Sequence, residues 1–423
     1  MNIQPPRGTQ DILPPLSQRF EEHEQRGRDL FECAGYGRII TPMFEDTSLF
    51  VRGVGEGSDI VNKEMYTFTD RSDHSLTLRP EGTAPVMRAI LSNHLGEEGL
   101  PIKLWYSVAM FRYDRPQKGR YRQHHQLGVE VVGSDDPAID AEVIWLGREL
   151  LARAGLTDVT LLLNSIGDSR HEGCRAEFLP KLVAFLEQHE GDLDEDCRRR
   201  TRTNPLRVFD CKVPRDQQIL SEAPTIDASL CKECREHFDA VQSLLGDAGV
   251  AFTLAPRLVR GLDYYTRTAF EFQTSLLEAA QSTVCGGGRY DGLVEQLGGP
   301  SLPGIGFGSG IERVLLAQEA AGTAGEAARI TCYVVPLGDD MRAPGFRLVT
   351  ALRDAGLSAD LGIGERGLKA HMKHANRLGA RFAALLGPKE LEAGIASVKD
   401  MDVGEQHEVA LADVPRWLKE RTT

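Results

Sequence analysis

Residues 111–133 have the sequence FRYDRPQKGRYRQHHQLGVEVVG, and this stretch is the most informative about the fold. The segments LWYSVAMFRY and QHHQLGVEVV are rich in β-branched and aromatic residues, and PQKG between them has turn residues, so the pattern predicts a β-hairpin. From Arg112 to Arg122 the chain has five cations and one acid, Asp114. A basic hairpin tip suits an anionic substrate, although a solvated surface hairpin has the same pattern.

The charge of the chain is distributed unevenly. The formal net charge is −13, with 41% hydrophobic and 26% charged residues, which is ordinary for a globular protein. Residues 331–423 contain 13 basic and 13 acidic residues, so the whole acidic excess lies in the first 330 residues. This difference supports a separate C-terminal domain, and an acidic chain must bind nucleic acid through local basic patches.

Hydropathy and cysteine usage predict a cytoplasmic protein without a membrane partner. No apolar run approaches the roughly 20 residues of a membrane span, and the N-terminal segment MNIQPPRGTQDILPP has no apolar signal core. The eight cysteines are expected to be reduced thiols. Cys231 and Cys234 have Cys-x-x-Cys spacing, with Cys197 and Cys211 as possible partners in a zinc site. Because only one pair is closely spaced, we expect ordinary buried thiols and no metal site.

The order of predicted elements indicates two domains. Residues 1–325 are expected to form an α+β domain built on a mostly antiparallel sheet flanked by helices, with a helical insertion at about 169–249. The glycine-dense stretch at 285–310 lacks the βαβ setting of a dinucleotide fingerprint, so that interpretation is rejected. Residues 326–423 alternate between strands and helices, which predicts a small α/β domain.

A predicted helix in the C-terminal domain, at about 366–378, carries a basic stripe. Its cations follow helical spacing: Arg366, Lys369, Lys373 and Arg377. Such a stripe on a small α/β domain favours RNA binding, and a solvated helix face is equally compatible with the spacing.

Together these segments resemble the class II aminoacyl-tRNA synthetases, and specifically the histidyl-tRNA synthetase family. PPRGTQDILP resembles the family's opening segment, GYGRIITPMFE its first class motif at a dimer interface, the hairpin its second motif, and GIGFGSGIERVLL its third. LVRGLDYYTRTAFEF and GGGRYDGL resemble stretches that distinguish the histidine enzymes. The resemblance covers nearly the whole chain. It implies the class II synthetase fold, a C-terminal anticodon-binding domain and a homodimer.

The resemblance implies a histidine–tRNA ligase that works in two steps. L-histidine attacks the α-phosphate of ATP, with Mg²⁺ as cofactor, to give histidyl-adenylate and pyrophosphate; the histidine then passes to the 3′ end of histidine tRNA. By resemblance, Arg112 holds the α-phosphate and the histidine carboxylate. Arg260 is a further guanidinium near the α-phosphate, and Arg313 lies against adenine and the γ-phosphate. Arginine suits these places because its planar fork pairs with phosphate oxygens.

The same resemblance assigns the remaining site residues. Glu130 and Tyr265 are expected to bind the imidazole, within a pocket completed by Tyr264, Tyr290, Glu81, Gly82, Thr83 and Gln126. ATP is expected to contact Arg112, Asp114, His124 and Arg313. The tRNA is expected to contact Arg115, Gln117, Lys118 and Arg120 at its acceptor end, and Lys369 and Lys373 at its anticodon. The family usually has Glu at Asp114 and Phe at His124, and we expect ATP to bind despite both differences.

Two other functions are compatible with a synthetase-like sequence. Synthetase-like paralogues serve as regulatory subunits of ATP phosphoribosyltransferase in histidine biosynthesis, and they usually lack the C-terminal domain and parts of the catalytic motifs. A synthetase-like RNA sensor would carry an additional signalling domain. Because this chain retains Arg112, Arg260, Arg313 and the C-terminal segment, the resemblance favours the enzyme.

Overall fold

A computed structural model describes residues 3–55, 58–170, 173–278, 281–325, 329–364 and 367–422. The chain divides into two compact units, Met1–Gly325 and Glu326–Thr423. Among the helices of the described ranges, none combines the length and apolar character that a membrane span requires.

The first unit is built on an eight-stranded, mostly antiparallel sheet, as predicted. The strand order is β1-β5-β6-β11-β10-β9-β7-β8, in which only the two edge pairs, β1 with β5 and β7 with β8, are parallel. A smaller antiparallel sheet has the order β2-β4-β3. The strands are β1 Gly37–Arg38, β2 Phe44–Asp46, β3 Tyr66–Thr69, β4 Ser75–Leu78, β5 Ile102–Phe111, β6 Gln123–Val132, β7 Val159–Ser165, β8 Thr253–Leu254, β9 Thr266–Thr274, β10 Thr283–Arg289 and β11 Gly304–Gly310.

Helices cover one face of the large sheet and form the insertion. The α-helices of this unit are α1 Leu16–Cys33, α2 Thr47–Val54, α3 Thr83–Ser92, α4 Pro137–Arg153, α5 Cys174–Gln188, α6 Glu195–Thr203, α7 Pro214–Leu220, α8 Lys232–Asp247, α9 Leu293–Gln296 and α10 Ile311–Ala321. Helix α4 begins where Asp136 accepts the N–H of Ala138 at 2.8 Å and Pro137 takes the first helical position. Phe31 of α1 packs on Trp105 of β5, with ring centroids 6.0 Å apart, in the core between helices and sheet.

The hairpin of β5 and β6 places alternate side chains on opposite faces of the sheet. The two strands pair antiparallel along their full length of ten residues each. The side chains that pack into the helix-covered core are Leu127, Val129 and Val131. Because side chains of a strand alternate between the two faces, His124, Gln126 and Glu130 lie on the opposite face.

Strand β11 repeats this alternation with glycine. Ile305 and Phe307 pack into the helix-covered core. Gly306 pairs with Glu130, and Gly308 pairs with Gly128 of β6, so these glycines share the face of Glu130. The sheet therefore has one apolar face against helices. The opposite face is covered in part by α3, in a second apolar cluster that includes Met87, Tyr106 and Val108, and its uncovered part is lined by polar residues and glycines.

The insertion has a small core of its own. Its apolar contacts include Phe178, Leu182 and Val208, whereas Phe238 and Val241 of α8 join the core of the large sheet. The cysteines form two groups that differ from the pairing considered above. Cys231 and Cys234 lie with Cys174, and Cys197 and Cys211 lie with Asp194 and Asp216. The four cysteines therefore do not meet at one place, because each pair lies with partners from a different segment.

The second unit is a five-stranded α/β sheet with the order β13-β12-β14-β15-β16. Strand β12 pairs in parallel with β13 and β14, and the pairs β14–β15 and β15–β16 are antiparallel. Its elements are β12 Cys332–Pro336, α11 Arg342–Asp354, β13 Ala359–Leu361, α12 Leu368–Arg377, β14 Phe382–Leu386, α13 Pro388–Glu392, β15 Ile395–Asp400, β16 Gln406–Ala410 and α14 Val414–Thr422. This unit confirms the predicted α/β class of the C-terminal segment.

Candidate active site

A cavity of about 380 Å³ lies on the open face of the large sheet. We call it the active-site cavity. It brings together side chains from the hairpin, the segment before β9, strands β10 and β11, and the start of α10. Among the predicted site residues, those lining it are Arg112, Asp114, Arg120, His124, Gln126, Arg260 and Arg313.

Three arginines from separate elements converge on this cavity. Arg112 follows β5, Arg260 precedes β9, and Arg313 lies in the first turn of α10. Arg313 donates from Nε to the Gly119 carbonyl at 3.1 Å and from Nη1 to the Thr283 carbonyl at 2.9 Å. Since a guanidinium has five N–H donors, Arg313 is oriented by the backbone and has further donors for a ligand.

The arginines repel one another in the absence of an anion. Burial lowers the pKa of Arg313, and the charges of Arg120 and Arg112 lower it further. A polyphosphate in the cavity would remove this repulsion, because its oxygens accept several charge-assisted hydrogen bonds.

Arg260 is held differently, by a carboxylate. It forms a close ion pair with Glu271 of β9, and its guanidinium carbon lies 5.7 Å from the centre of the Tyr265 ring. Burial alone would lower the pKa of Arg260, but the Glu271 charge holds it above the ordinary value. A Cβ atom on Gly286 would lie 2.7 Å from Arg260 Nη1, so glycine at this position makes room for the side chain.

Next to the cavity, Glu130 is the centre of a buried cluster that we call the tyrosine–glutamate cluster; its members are Glu81, Thr83, Glu130, Tyr264, Tyr265 and Tyr290. The Thr83 hydroxyl donates to Glu130 at 2.8 Å, and the Tyr290 hydroxyl makes a short hydrogen bond to the same carboxyl. Burial raises the pKa of Glu130 to about 8, against the opposing effect of the Tyr290 and Thr83 hydroxyls. A Cβ atom on Gly306 would lie 2.0 Å from Glu130 Oε2, so the carboxyl occupies space left by that glycine.

Glu81 is the second buried carboxyl of the tyrosine–glutamate cluster. Its carboxylate accepts hydrogen bonds from the backbone N–H groups of Thr83 at 2.7 Å and Ala84 at 2.9 Å. Gly82, which lies between Glu81 and Thr83, is the N-cap of α3. Burial raises the pKa of Glu81, and these N–H donors oppose the rise. The Tyr264 hydroxyl donates to Glu81 at 3.4 Å. A cluster of carboxyls and phenols can pair with both the amine and the imidazole of a small basic ligand.

The two positions that differ from the usual family residues both line the active-site cavity. Asp114 forms a close ion pair with Arg120 and accepts the N–H of Arg115 at 2.6 Å. Burial lowers the pKa of His124 to about 3, and the charges of Arg112 and Arg313 contribute. The neutral imidazole ring is therefore suited to stack on a flat ligand.

The hairpin tip, residues 115–120, connects the paired strands and contacts α10 through the Gly119 carbonyl, which accepts from Arg313. Gln117 and Arg120 exchange backbone hydrogen bonds of 3.1 and 2.9 Å around a tight turn. Arg115, Gln117 and Lys118 are exposed, and Arg120 is half-buried. The exposed cations can meet a polyanion that approaches the cavity.

The remaining predicted residues lie in the C-terminal unit on α12. Lys369 and Lys373 are exposed, and the side of α12 that is buried contains His371 and Ala375. Arg366, the first cation of the predicted stripe, lies outside the described residues.

Three functional candidates escaped the sequence analysis. Tyr106 is buried and hydrogen-bonded to Glu130 at 3.2 Å. Glu271 and Glu312 both line the cavity, and Glu312 accepts the backbone N–H of His125 at 3.0 Å. An aromatic residue or an acid in a strand, like an acid in a helix, carries no distinguishing local signal, although Glu271 of β9 and Glu312 of α10 both lie within the family motifs.

Comparisons with known proteins agree with this geometry. Residues 8–314 match the family model of histidyl-tRNA synthetases, and residues 331–421 match that of an anticodon-binding domain. The histidine–tRNA ligase of Moorella thermoacetica is 52% identical over 98% of this chain and 97% of its own length. That of Desulforamulus reducens is 48% identical over 99% of both chains. The structure of apo S. aureus histidyl-tRNA synthetase has a TM-score of 0.81 and 38% identity, covering 99% of this chain and 100% of the other. The chain therefore belongs to the histidyl-tRNA synthetase family of class II aminoacyl-tRNA synthetases.

Proposed function

We propose that this chain is a histidine–tRNA ligase that forms histidyl-adenylate from L-histidine and ATP and then esterifies histidine tRNA. The observation that carries the proposal is the convergence of Arg112, Arg260 and Arg313 on one cavity beside the tyrosine–glutamate cluster. The regulatory-subunit alternative is disfavoured because the three arginines and the anticodon-binding domain are all present.

In the first step, an oxygen of the histidine carboxylate bonds to the α-phosphorus, and the bond from that phosphorus to the bridging oxygen of pyrophosphate breaks. Arg112 and Arg260 stabilise the negative charge that increases on the α-phosphate, and Arg313 holds the γ-phosphate. Reactions of this type depend mainly on positioning and electrostatic stabilisation, so three fixed cations are the main catalytic requirement.

Recognition of histidine depends on the tyrosine–glutamate cluster. Glu130 accepts an imidazole N–H, and Tyr265 pairs with the other ring nitrogen, while Tyr264 and Tyr290 enclose the ring. Glu81, Thr83 and Gln126 hold the α-amino group. A buried site of this kind rejects analogues that lack the hydrogen bonds by about 10⁴-fold or more, since its polar groups would remain unpaired.

ATP and Mg²⁺ occupy the active-site cavity in this proposal. His124 stacks on adenine and Asp114 contacts its edge. Mg²⁺ prefers carboxylate, water and phosphate oxygens. Glu271 and Glu312 line the cavity, but Glu271 is paired with Arg260, and both Glu312 oxygens accept the backbone N–H of His125 at 3.0 Å. Mg²⁺ would therefore be held mainly by the phosphate oxygens of ATP and by water, and it would neutralise phosphate charge.

In the second step, the terminal ribose hydroxyl of histidine tRNA attacks the activated carbonyl carbon, and AMP leaves. The exposed cations of the hairpin tip contact the acceptor end, and Lys369 and Lys373 contact the anticodon region. Phosphate contacts of this kind give most of the affinity, which falls with rising salt concentration.

We include in the proposal a homodimer and a cytoplasmic location. Four large apolar side chains of the first class motif and the small sheet are exposed: Ile40 (72%), Met43 (51%), Phe44 (50%) and Phe68 (43%). Exposed apolar patches often mark interfaces, and a two-fold interface would cover the patch on both subunits. Sedimentation of a Phe44→Asp variant tests the dimer, which should dissociate, and fractionation of the source cells tests the location.

The decisive experiment is pyrophosphate exchange that depends on histidine. We expect exchange in the wild-type chain and its loss in Arg260→Ala. Arg257→Ala is the matched control, because Arg257 donates to Leu220 and Ser221 rather than facing the cavity. A folded wild-type chain without exchange would exclude the ligase, and wild-type exchange in Arg260→Ala would exclude the role of that residue. Charging assays with several purified tRNAs and amino acids then test the specificity.

A further inference from the structure

Three cysteine thiols from distant parts of the sequence meet beside the large sheet. Cys174, Cys231 and Cys234 have sulfur atoms that all lie within 4.8 Å of one another. We call them the thiol cluster. Cys174 is the first residue of α5, Cys231 is the N-cap of α8, and Cys234 lies in the first turn of α8. The insertion thus brings its first and last helices together at three sulfurs.

The spacing of the thiol cluster is close to that of a metal site. Two thiolates on one tetrahedral zinc lie about 3.8 Å apart, since each Zn–S bond is about 2.3 Å long. Sulfur atoms 4.8 Å apart would reach this distance if side-chain rotation brought them about 1 Å closer together. Three thiols from a close pair and one remote cysteine are a common part of structural zinc sites.

The backbone around the thiol cluster supplies donors for metal-bound sulfur, although burial raises the pKa of the Cys231 and Cys234 thiols, so their protons leave on metal binding and not before it. The backbone N–H of Cys231 donates to Cys174 Sγ at 3.1 Å, as amides commonly do to metal-bound sulfur. All three cysteines lie at helix N-termini, whose partial positive charge stabilises anions. Cys174 and Cys234 are buried, and Cys231 is partly exposed, which leaves a route for an ion.

We propose that Cys174, Cys231 and Cys234 bind one zinc ion that fixes the two ends of the insertion to each other. Binding releases the three thiol protons to solvent. A water molecule, which can enter beside the partly exposed Cys231, supplies the fourth ligand. Arg175 follows Cys174 and donates to the Ile166 carbonyl at 2.8 Å, so the site also fixes the start of α5 to the end of β7.

We do not propose a metal site at the second group, which consists of Asp194, Cys197, Cys211 and Asp216. Its carboxylate oxygens already accept backbone hydrogen bonds: Asp194 Oδ1 accepts the N–H of Cys197 at 2.6 Å, and Asp216 Oδ2 accepts the N–H of Asp194 at 3.2 Å. This group supplies the matched control, since Cys197 is buried in the same insertion and outside the thiol cluster.

The test uses the full chain, stripped of metal with a chelator under reducing conditions and titrated with Co²⁺ as a spectroscopic probe. We expect a thiolate-to-cobalt charge-transfer band that saturates at one ion per chain and disappears on addition of Zn²⁺. The band should persist in Cys197→Ser and be lost in Cys231→Ser. Absence of the band in the wild-type chain, or its loss in Cys197→Ser but not in Cys231→Ser, would overturn the proposal.

A second measurement does not depend on the folding of a variant. The stripped wild-type chain is alkylated with and without Zn²⁺, and the modified cysteines are identified by mass spectrometry. Zn²⁺ should slow the alkylation of Cys231, the partly exposed member of the cluster, while exposed Cys33 reacts equally in both samples. Equal alkylation of Cys231 with and without Zn²⁺ would contradict the site.

Discussion

The buried carboxyl of Glu130 should make histidine binding depend on pH. Its pKa of about 8 means that the carboxyl is mostly protonated at pH 7 in the empty pocket. A protonated carboxyl must lose its proton before it accepts an imidazole N–H with full strength. The KM for histidine should therefore fall as the pH rises towards about 8 and level off above it, by up to about tenfold per pH unit.

Pyrophosphate exchange at a series of pH values measures this dependence. Glu130→Gln is the control, because the amide does not titrate while the histidine substrate titrates equally in both experiments. The difference between the pH profiles of the wild-type chain and Glu130→Gln therefore gives the contribution of Glu130. An identical profile in Glu130→Gln would assign the pH dependence to another group.

Gly306 and Gly308 form a matched pair for testing how closely the cluster is packed. A Cβ atom at Gly306 would lie 2.0 Å from Glu130 Oε2 and 2.4 Å from the Val129 carbonyl, whereas at Gly308 the nearest atom is 3.3 Å away. We expect Gly306→Ala to raise the KM for histidine and to destabilise the fold by about 1–3 kcal/mol. Gly308→Ala should change both quantities less, because the nearest atoms to its Cβ atom all belong to the Gln126 side chain, which can move. Thermal unfolding and exchange kinetics measure the two effects, and equal behaviour of the variants would refute the packing argument.

At the scale of single elements, α12 is the candidate for anticodon contact. Its two lysines are exposed on one helix, so Lys369→Glu with Lys373→Glu should weaken binding of histidine tRNA. The slope of log affinity against log salt should also decrease by roughly one for each lysine that contacts a phosphate.

The charge-matched control for α12 reverses exposed cations of neighbouring helices in the same unit. Arg347→Glu with Lys389→Glu changes α11 and α13 by the same total charge. If both double variants lost affinity equally, the effect would be one of net charge. If neither did, α12 would not contact the tRNA.

Elements with periodic patterns could be predicted well from the sequence. The sequence predicts the hairpin strands at 104–113 and 123–132, and they form at Ile102–Phe111 and Gln123–Val132, because the β-branched and aromatic residues of β5 and the alternating aliphatic residues of β6 suit a pleated sheet. The thiol cluster could not be predicted, since Cys174 lies 57 positions before Cys231 and only tertiary packing brings them together. Tyr106 was missed for a related reason: its strand pattern is that of an ordinary core aromatic, and its bond to Glu130 depends on strand pairing.

At the scale of the whole molecule, the division into two units predicts separable activities. A chain with an inserted protease site after Gly325, once cut, should retain histidine-dependent exchange, because all residues of the cavity belong to the first unit. Its affinity for histidine tRNA should fall by about 10²-fold or more, since two linked binding sites gain this order of avidity. The uncut chain with the same insertion is the control. Loss of exchange on cutting would show that the first unit depends on the second.

The alternation along β6 has a consequence for how mutations are tolerated. A saturation scan of residues 126–131 should show a period of two. At Leu127, Val129 and Val131, aliphatic exchanges should retain activity, whereas polar substitutions should reduce the yield of folded protein. At Gln126 and Glu130, many substitutions should abolish charging of tRNA in protein that still accumulates. Gly128 is the exception among the even positions, because a Cβ atom there would lie 2.3 Å from the buried Tyr106 ring and should reduce the yield. Apart from Gly128, the strand therefore separates the two ways in which a mutation can inactivate an enzyme, through abundance at odd positions and through specific activity at even ones.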